Sequence, residues 1–396
     1  MSASLVLLPG REKSLLNGHP WVFSGAVAGV SGTPSPGEIV GVLSQDGRLL
    51  ARGFYNPRSQ IVFRALVWGE EDPESPRFWR SRVSSALAFR TSTLGMSLDR
   101  RALRVAHAES DGLPGLILDW YAGTLVTQFL CLGMDLRKEA ILSAASDVIS
   151  PARIYDRSDA EVRKLEGLQP SRGVLAGDEP PALIEICEGP ARLLVDVVNG
   201  HKTGFYLDQA ENRARVASFL AGRTVLNCFS YTGAFSVMGA AAGSLGVRSV
   251  DSSESALSLA ASNMELNGFG SRHESGCADV GEYLRTLRGT GARFGAIILD
   301  PPKYVTSKAG VDKGARAYKD INRLALGLLE RGGILATFSC SGHVDADLFQ
   351  KIIFAASVEA GRSVRMISRL GQSPDHPVLL TYPESSYLKG LLCAAE

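Results

Sequence analysis

From about residue 196 to the C-terminus, strand-like and helix-like runs alternate without interruption. "TVLNCFS" (224–230) precedes "AFSVMGAAAG", and "VRSVDSS" (247–253) precedes "SALSLAASNMELNG", which stops at Gly268. "SRHESGCAD" (271–279) leads into "VGEYLRTLR". "FGAIILD" (294–300) leads through "PPK" into "ARAYKDINRLALGLLERGG", a helix expected to end at its glycines. "ILATFSC" (334–340), "DADLFQKIIFAASVEAG", "SVRMISRL" and "YLKGLLCAA" complete the series. Strict alternation leaves few solutions: a mostly parallel, doubly wound α/β sheet with helices on both faces.

Two regions precede it. Residues 1–72 read as short strands ("WVFSGAV", "GEIVGVLS", "LLARGFY", "QIVFRALV") punctuated by Gly and Pro, the pattern of a small β-barrel. The acidic, Pro-containing "GEEDPESP" is a linker. Residues 73–195 begin with a helix, "RFWRSRVSSALAFRTSTL". Strands follow at "ALRVAHAES", "GLILDWYAG" and "TLVTQFLCL", then a helix over 136–149 and strands at "RIYDRS" and "ALIEICEG", an α+β unit. The doubly wound domain occupies 196–396.

Charge excludes a generally basic nucleic-acid binder: 42 Lys and Arg face 41 Asp and Glu, a formal net charge of +1. Local patches must then carry any RNA contact. Residues 77–104 hold seven arginines (77, 80, 82, 90, 100, 101, 104) against Asp99, a local charge of +6, and read equally as a phosphate patch or a solvated helix face. Cysteines 131, 187, 228, 277, 340 and 393 form no CxxC, so neither a disulfide framework nor a metal site is expected. The N-terminal apolar run is too short for a signal peptide and no stretch reaches ~18 apolar residues, so a cytoplasmic chain with no membrane span is expected.

In such sheets ligands bind at the carboxyl ends of the strands. Gly233 opens a helix after "NCFSYTGAF". Asp251, Asp279 and Asp300 stand at the ends of the next three strands. Only one glycine of a dinucleotide fingerprint is present. Acids without a phosphate cradle suit a nucleoside lacking phosphates, and S-adenosylmethionine is such a ligand. Asp251 would accept from ribose and Asp279 from adenine, although both residues are also good helix caps.

"HKTGFYLDQAENR" (201–213), "FSYTGAF", "VDSSESAL", "ILDPPKY" and "TFSCSG" together resemble the bacterial 23S ribosomal RNA large-subunit methyltransferase I family. "GREKSLLNGHPWVFSGAV" is similar to that family's N-terminal PUA domain, and "ESDGLPGLILDWY" and "RSDAEVRKLEGL" to its central domain. The resemblance implies a class I methyltransferase fold. It implies S-adenosylmethionine as cofactor, 23S ribosomal RNA as partner, 5-methylcytidine as product and a homodimer. It places Lys202, Thr203, Phe205, Gln209 and Arg213 along the cofactor entrance, and Phe229, Tyr231 and Gly233 under the methionine part. Asn227 and Ala210 depart from its usual residues, which leaves Asn227's contact to the methionine ammonium open.

Cytosine carbon 5 is a poor nucleophile until a thiolate adds at carbon 6. Cys340, at the tip of the strand beside the one ending in Asp300, reads as that nucleophile under the resemblance. From the residues alone it reads equally as a small residue at a crowded strand end. The other cysteines read as packing. Asp300 would hydrogen-bond the base around N3 and N4 and, in its protonated form, assist the addition. Lys303 and Tyr304, with Arg11 and Lys13 and the aromatics Trp21 and Phe23 of the barrel, are candidate RNA contacts. The base that takes the C5 proton stays open among Asp300, water and His343, the last of which could equally be a helix cap. Three other readings compete: uridine-C5 methylation, exocyclic-amine methylation that dispenses with Cys340, and a non-catalytic RNA-binding assembly factor.

Overall fold

The computed structural model describes residues 3–99 and 101–396. The chain forms two compact units. The first is Met1–Ile184 with Val195–Leu207 and Pro374–Ser385; the second is Glu185–Leu194 with Asp208–Ser373 and Ser386–Glu396.

The first unit contains two sheets. In the six-stranded sheet, Trp21–Phe23, Ile61–Val67, Leu49–Tyr55, Ile39–Leu43, Ser4–Leu7 and Val27–Ser31 lie side by side in that order. Ser4–Leu7, read from sequence only as an apolar run, is an interior strand pairing parallel to Ile39–Leu43 and antiparallel to Val27–Ser31. Leu5 and Leu7 alternate into the core with Val40, Val42 and Phe63. The five-stranded sheet runs Ser171–Ala176, Arg153–Ser158, Thr124–Phe129, Leu116–Tyr121, Ala102–His107. Its core also receives Trp79 and Val83 from the helix Pro76–Ala88 and Ile141 and Ala145 from Lys138–Ile149. Arg64 of the first sheet bridges Glu109 (2.8 Å) and Glu166 (3.0 Å), and Trp21 Nε1 donates to Glu109 at 2.7 Å. Buried charges must be paired, so this cluster ties the two sheets within the unit.

The second unit is built on seven strands. In chain order they are β1 (Thr224–Cys228), β2 (Gly246–Asp251), β3 (His273–Cys277), β4 (Phe294–Leu299), β5 (Leu329–Ser339), β6 (Val364–Gly371) and β7 (Lys389–Ala395). The connecting helices are α1 (Ala234–Ala241), α2 (Glu254–Leu266), α3 (Val280–Thr290), α4 (Val311–Leu328) and α5 (Ala346–Glu359). The sheet order is β3-β2-β1-β4-β5-β7-β6, with β7 antiparallel to both neighbours. All six residues of β4 and the last seven of β5 are buried, as strands covered by helices on both faces require. Ser253, Asp279 and Asp345 cap α2, α3 and α5, each side chain accepting from a main-chain N–H three residues on.

The helix expected to run to Gly333 ends at Leu328. Leu329 turns extended (ψ 141°) and pairs with Phe294, while Glu330–Gly333 bulge out before Ile334 pairs with Ala296. Gly332, at φ +74°, permits the bulge. Ser339 lies opposite Lys389 and Phe338 opposite Gly390 across the β5–β7 pair.

A methyl at Gly390 would stand 2.5 Å from the ring of fully buried Phe338 and 2.9 Å from Leu370 Cβ. Gly390→Ala is therefore expected to destabilise the protein by about 1–3 kcal/mol, read as a lower urea midpoint with unchanged slope; an unchanged midpoint would mean the strand absorbs the methyl.

Candidate active site

The loop after β1 is held in an unusual backbone. Phe229 (φ +57°), Tyr231 (φ +48°) and Gly233 (φ +78°) alternate in the left-handed region. A non-glycine residue there costs of order 1–3 kcal/mol and persists where neighbours enforce it. The neighbours are identifiable. Ser230 N–H donates to Val250 O at 3.0 Å, Gly233 N–H to Ser230 O at 2.9 Å, and Tyr231 N–H to Asp251 Oδ2 at 2.9 Å. Gly233 has a second reason to lack a side chain, since a Cβ would meet Ala260 Cβ at 2.8 Å.

This loop fits the cofactor implied by the strand-end acids. The Ser230 and Thr232 hydroxyls are buried without a hydrogen-bond partner among the described residues, an expensive state unless a polar ligand completes it. Asp251 uses one lone pair of Oδ2 on Tyr231 and one of Oδ1 on Ser253 N–H (3.0 Å). Each oxygen keeps acceptor capacity for a ribose hydroxyl. Asp279 is exposed, and its Oδ1 caps α3 through Glu282 N–H at 2.9 Å.

Asn227 bonds within the sheet–helix interior. It is 1% exposed, and its Nδ2 donates to Ser236 Oγ on α1 at 2.9 Å. From there the polar contacts continue to Ser249 Oγ (2.8 Å) and His273 Nε2 (2.8 Å), the latter a histidine whose pKa is held down by burial. These residues form a satisfied interior chain under the loop.

At the tip of β4, Asp300 Oδ2 accepts from Gln209 Nε2 at 2.9 Å. Gln209 is in turn gripped through Oε1 by Asn212 Nδ2 (2.6 Å), which also donates to Gly371 O (2.7 Å). This explains the glutamine in "LDQAENR": it fixes the carboxylate's orientation. Arg213 is 2% exposed and committed to Glu188, with Nε on Oε1 at 2.6 Å and Nη2 on Oε2. It shapes the segment through a buried fork-to-fork ion pair.

The β5 tip explains "SCSG". Ser339 and Ser341 are fully buried and Cys340 between them is half-buried. Ser341 accepts at its Oγ from Val305 N–H (3.2 Å), pairs there with the Tyr318 hydroxyl (2.9 Å), and offers its carbonyl to Lys389 Nζ (2.7 Å). The serines anchor the turn, and Cys340 between them keeps partial exposure. β4 and β5 are paired in register, Leu299 beside Thr337, so Asp300 and Cys340 leave neighbouring strand ends. Burial pushes the thiols of Cys131 up to about 12 and Cys393 up to about 11, and also raises Cys228, which suits packing residues. Cys277 departs from the expected packing role: it is exposed at the end of β3, its Sγ 3.6 Å from Ser252 O.

Lys389 was not singled out in the sequence, where a single lysine in "YLKGLLCAA" looks like an edge-strand charge. In the structure it is half-buried at the start of β7, and burial brings its pKa down to about 8. Lys303 is exposed beside Pro302. Tyr304 packs on Tyr318 with ring centroids 4.8 Å apart, its hydroxyl pKa raised by burial. His343 is exposed and does not cap α5, a role that belongs to Asp345.

In the first unit, Lys202 is exposed, at φ +54°, with its Nζ 4.6 Å from the Tyr206 ring centroid. Thr203 is buried and donates to Asp119 Oδ2 at 2.6 Å while the Tyr121 hydroxyl bonds it at 2.8 Å; Phe205 is buried. Arg11 and Lys13 are exposed, as is Phe23 at 48%, and Trp21 is held by Glu109. The arginine patch is smaller than its sequence charge. Arg90 is fully buried on Asp111 and Asp375 O, and Arg104 is paired in two places with Asp119 (2.8 Å each). Arg80 and Arg82 pair with Asp147 and Glu71. Arg77 and Arg101 stand exposed, and Arg100 lies outside the described residues. Among the described residues no helix is long and apolar enough to cross a membrane, and no group of three His, Cys, Asp or Glu could hold a metal ion.

The chain is similar to known proteins along nearly its whole length. Residues 5–68 match a PUA-like domain and residues 116–393 match the S-adenosylmethionine-dependent methyltransferase family. A "Ribosomal RNA large subunit methyltransferase I" from Escherichia coli O139:H28 is 47% identical over 99% of both chains, and one from Escherichia coli O9:H4 is similar to the same extent. Two solved structures share the whole fold over 99% of both chains at 21% identity. One is a candidate S-adenosylmethionine-dependent methyltransferase from Streptococcus mutans (TM-score 0.84), and the other a candidate methyltransferase in complex with SAH (0.86).

Removing Glu188 takes from the buried Arg213 guanidinium the carboxylate it is paired with. Glu188→Leu is expected to cost about 3–5 kcal/mol, with Arg213→Met plus Glu188→Leu recovering most of it. Chemical denaturation of both variants checks this; equal loss in the double variant would assign the effect to packing.

Proposed function

The chain belongs to the ribosomal RNA large subunit methyltransferase I family and is an S-adenosylmethionine-dependent methyltransferase; from that premise we propose that it methylates carbon 5 of a cytidine in 23S ribosomal RNA, in the cytoplasm, through a covalent adduct on Cys340. The observation that carries the reading is the β5 tip: a half-buried cysteine between two fully buried serines, on the strand paired with the one that ends in Asp300.

S-adenosylmethionine supplies an electrophilic methyl group on a sulfonium centre. The Ser230 and Thr232 hydroxyls and Asp251 would hold it at the carboxyl ends of β1 and β2. Asp279, Gly233 and the backbone of Phe229 and Tyr231 shape the same crevice. Asp300, oriented by Gln209, grips the Watson–Crick edge of a cytosine turned out of its stack. Cys340 thiolate bonds to carbon 6 as a proton held between Asp300 and N3 moves onto N3, which gives carbon 5 enamine character. Once carbon 5 carries the methyl group, its proton passes to the Asp300 carboxylate, the C6–S bond breaks with the sulfur leaving as thiolate, and N3 releases its proton to solvent. The PUA-like domain, with exposed Arg11, Lys13 and Phe23, supplies RNA contact away from the base, and Lys303 and Tyr304 supply it at the β4 turn.

Methyl transfer from labelled S-adenosylmethionine to unmodified large-subunit RNA, digested to nucleosides, is expected to place label in 5-methylcytidine and to fall to background in Cys340→Ala. Label in 5-methyluridine or N4-methylcytidine, or an active Cys340→Ala, would overturn the mechanism. Absence of cofactor binding by calorimetry would point instead to an RNA-binding assembly role. Gln209→Ala removes one hydrogen bond to a charged group, about 1.5 kcal/mol, so single-turnover methylation should slow roughly tenfold with the fold intact. An unchanged rate would mean that Asp300 needs no such orientation.

A further inference from the structure

One buried cation near the β5 tip has no role in the reaction as described. Lys389 opens β7 directly opposite Ser339, the residue before Cys340. Its Nζ donates to Ser341 O, the residue after Cys340, and to Tyr387 O, both at 2.7 Å. An ammonium carries three protons, and the third has no acceptor among the described residues. The side chain thus brackets Cys340 from both sides along the chain, opposite Ser339 and bonded to Ser341. A lysine needed only to tie two carbonyls could sit at a solvated edge; here the ammonium is half-buried, where unscreened charge acts strongly.

We propose that Lys389 is a positioning residue whose ammonium holds Cys340 as the thiolate and fixes the turn that presents it. This rests on the reading of Cys340 as the nucleophile. The other ionisable groups around the turn do not replace it. Lys303 is exposed on the β4 turn, and Tyr318 of α4 has its hydroxyl on Ser341 with its pKa raised by burial, so it stays neutral. Asp345, the cap of α5, is an acid whose charge also favours the protonated lysine, and its Oδ1 accepts from Leu348 N–H. Cys340 is itself among the charges that favour the protonated lysine, so each ion stabilises the other. The pair is a source of charge at the β5 tip that does not involve RNA or cofactor.

The test reads the thiol, not the product. Iodoacetamide alkylation of Cys340 in the full-length protein, followed by peptide mass spectrometry across pH 5–10, gives its titration midpoint. In Lys389→Met the midpoint should rise by about one unit or more, slowing alkylation at pH 7 roughly tenfold, and Lys389→Arg should restore most of the shift. Thermal unfolding of each variant establishes that the fold is retained. Overlapping profiles for wild type and Lys389→Met would overturn the proposal. So would a raised midpoint that Lys389→Arg, if folded, fails to restore, since charge would then not be the cause. Failure of the parent reading looks different: Cys340→Ala would methylate RNA normally whatever the alkylation profiles show.

Discussion

The register of β5 is the constraint on which the site depends. This strand is paired parallel to β4 and antiparallel to β7, and from Gly333 onward it is buried on both faces. Slipping it by one residue would move every side chain to the opposite face of the sheet. Ser339 and Ser341 would trade faces with Cys340. Phe338 would lose its place over Gly390. The packing that stabilises the second unit therefore also decides which of three consecutive polar residues keeps partial exposure at the strand's end.

Around that fixed strand the site is assembled from local compromises. The β1 loop holds two non-glycine residues in left-handed conformations and leaves two buried hydroxyls unsatisfied. Asp251 partly compensates by bonding two main-chain N–H groups of neighbouring turns. The cost is local and the surrounding sheet is ordinary, which is the pattern expected where a backbone is shaped for a ligand. Asp300 shows the same division of labour: the strand sets its position, and Gln209 and Asn212 set its orientation.

The alternating pattern beyond residue 196 made the sheet legible, because period and turn chemistry are local properties. The same holds for the acids at strand ends, whose positions follow once the strands are placed. What each acid bonds is not local: that Asp279 Oδ1 caps α3 through Glu282 N–H is seen only in three dimensions. Partners distant in sequence account for the other differences. Arg90 and Arg104 looked like surface charge because Asp111, Asp119 and Asp375 enter from other segments. Ser4–Leu7 looked like a stray apolar run because its strand partners lie twenty or more residues away. Lys389 drew no notice because its relation to Cys340 exists only through β5–β7 pairing. The end of α4 was misplaced because two glycines resemble a helix stop, whereas here they relax a bulge that lets Leu329 join the sheet.

The path of the chain has a consequence for how the molecule comes to be made. The first unit takes its last piece from Pro374–Ser385, and the second takes pieces from before and after that segment. Asp375 accepts the main-chain N–H of Arg104 at 2.9 Å and bonds Arg90 through its carbonyl at 2.7 Å, across 271 and 285 residues of sequence. During synthesis these partners wait until nearly all of the 396 residues exist. The loop-closure entropy of so long a connection grows only logarithmically, but the delay is set by the ribosome. The N-terminal sheets can form early, while the buried guanidinium of Arg90 lacks one of its acceptors until the end. Neither unit is then finished much before the other, and a chain interrupted before residue 374 would leave both incomplete.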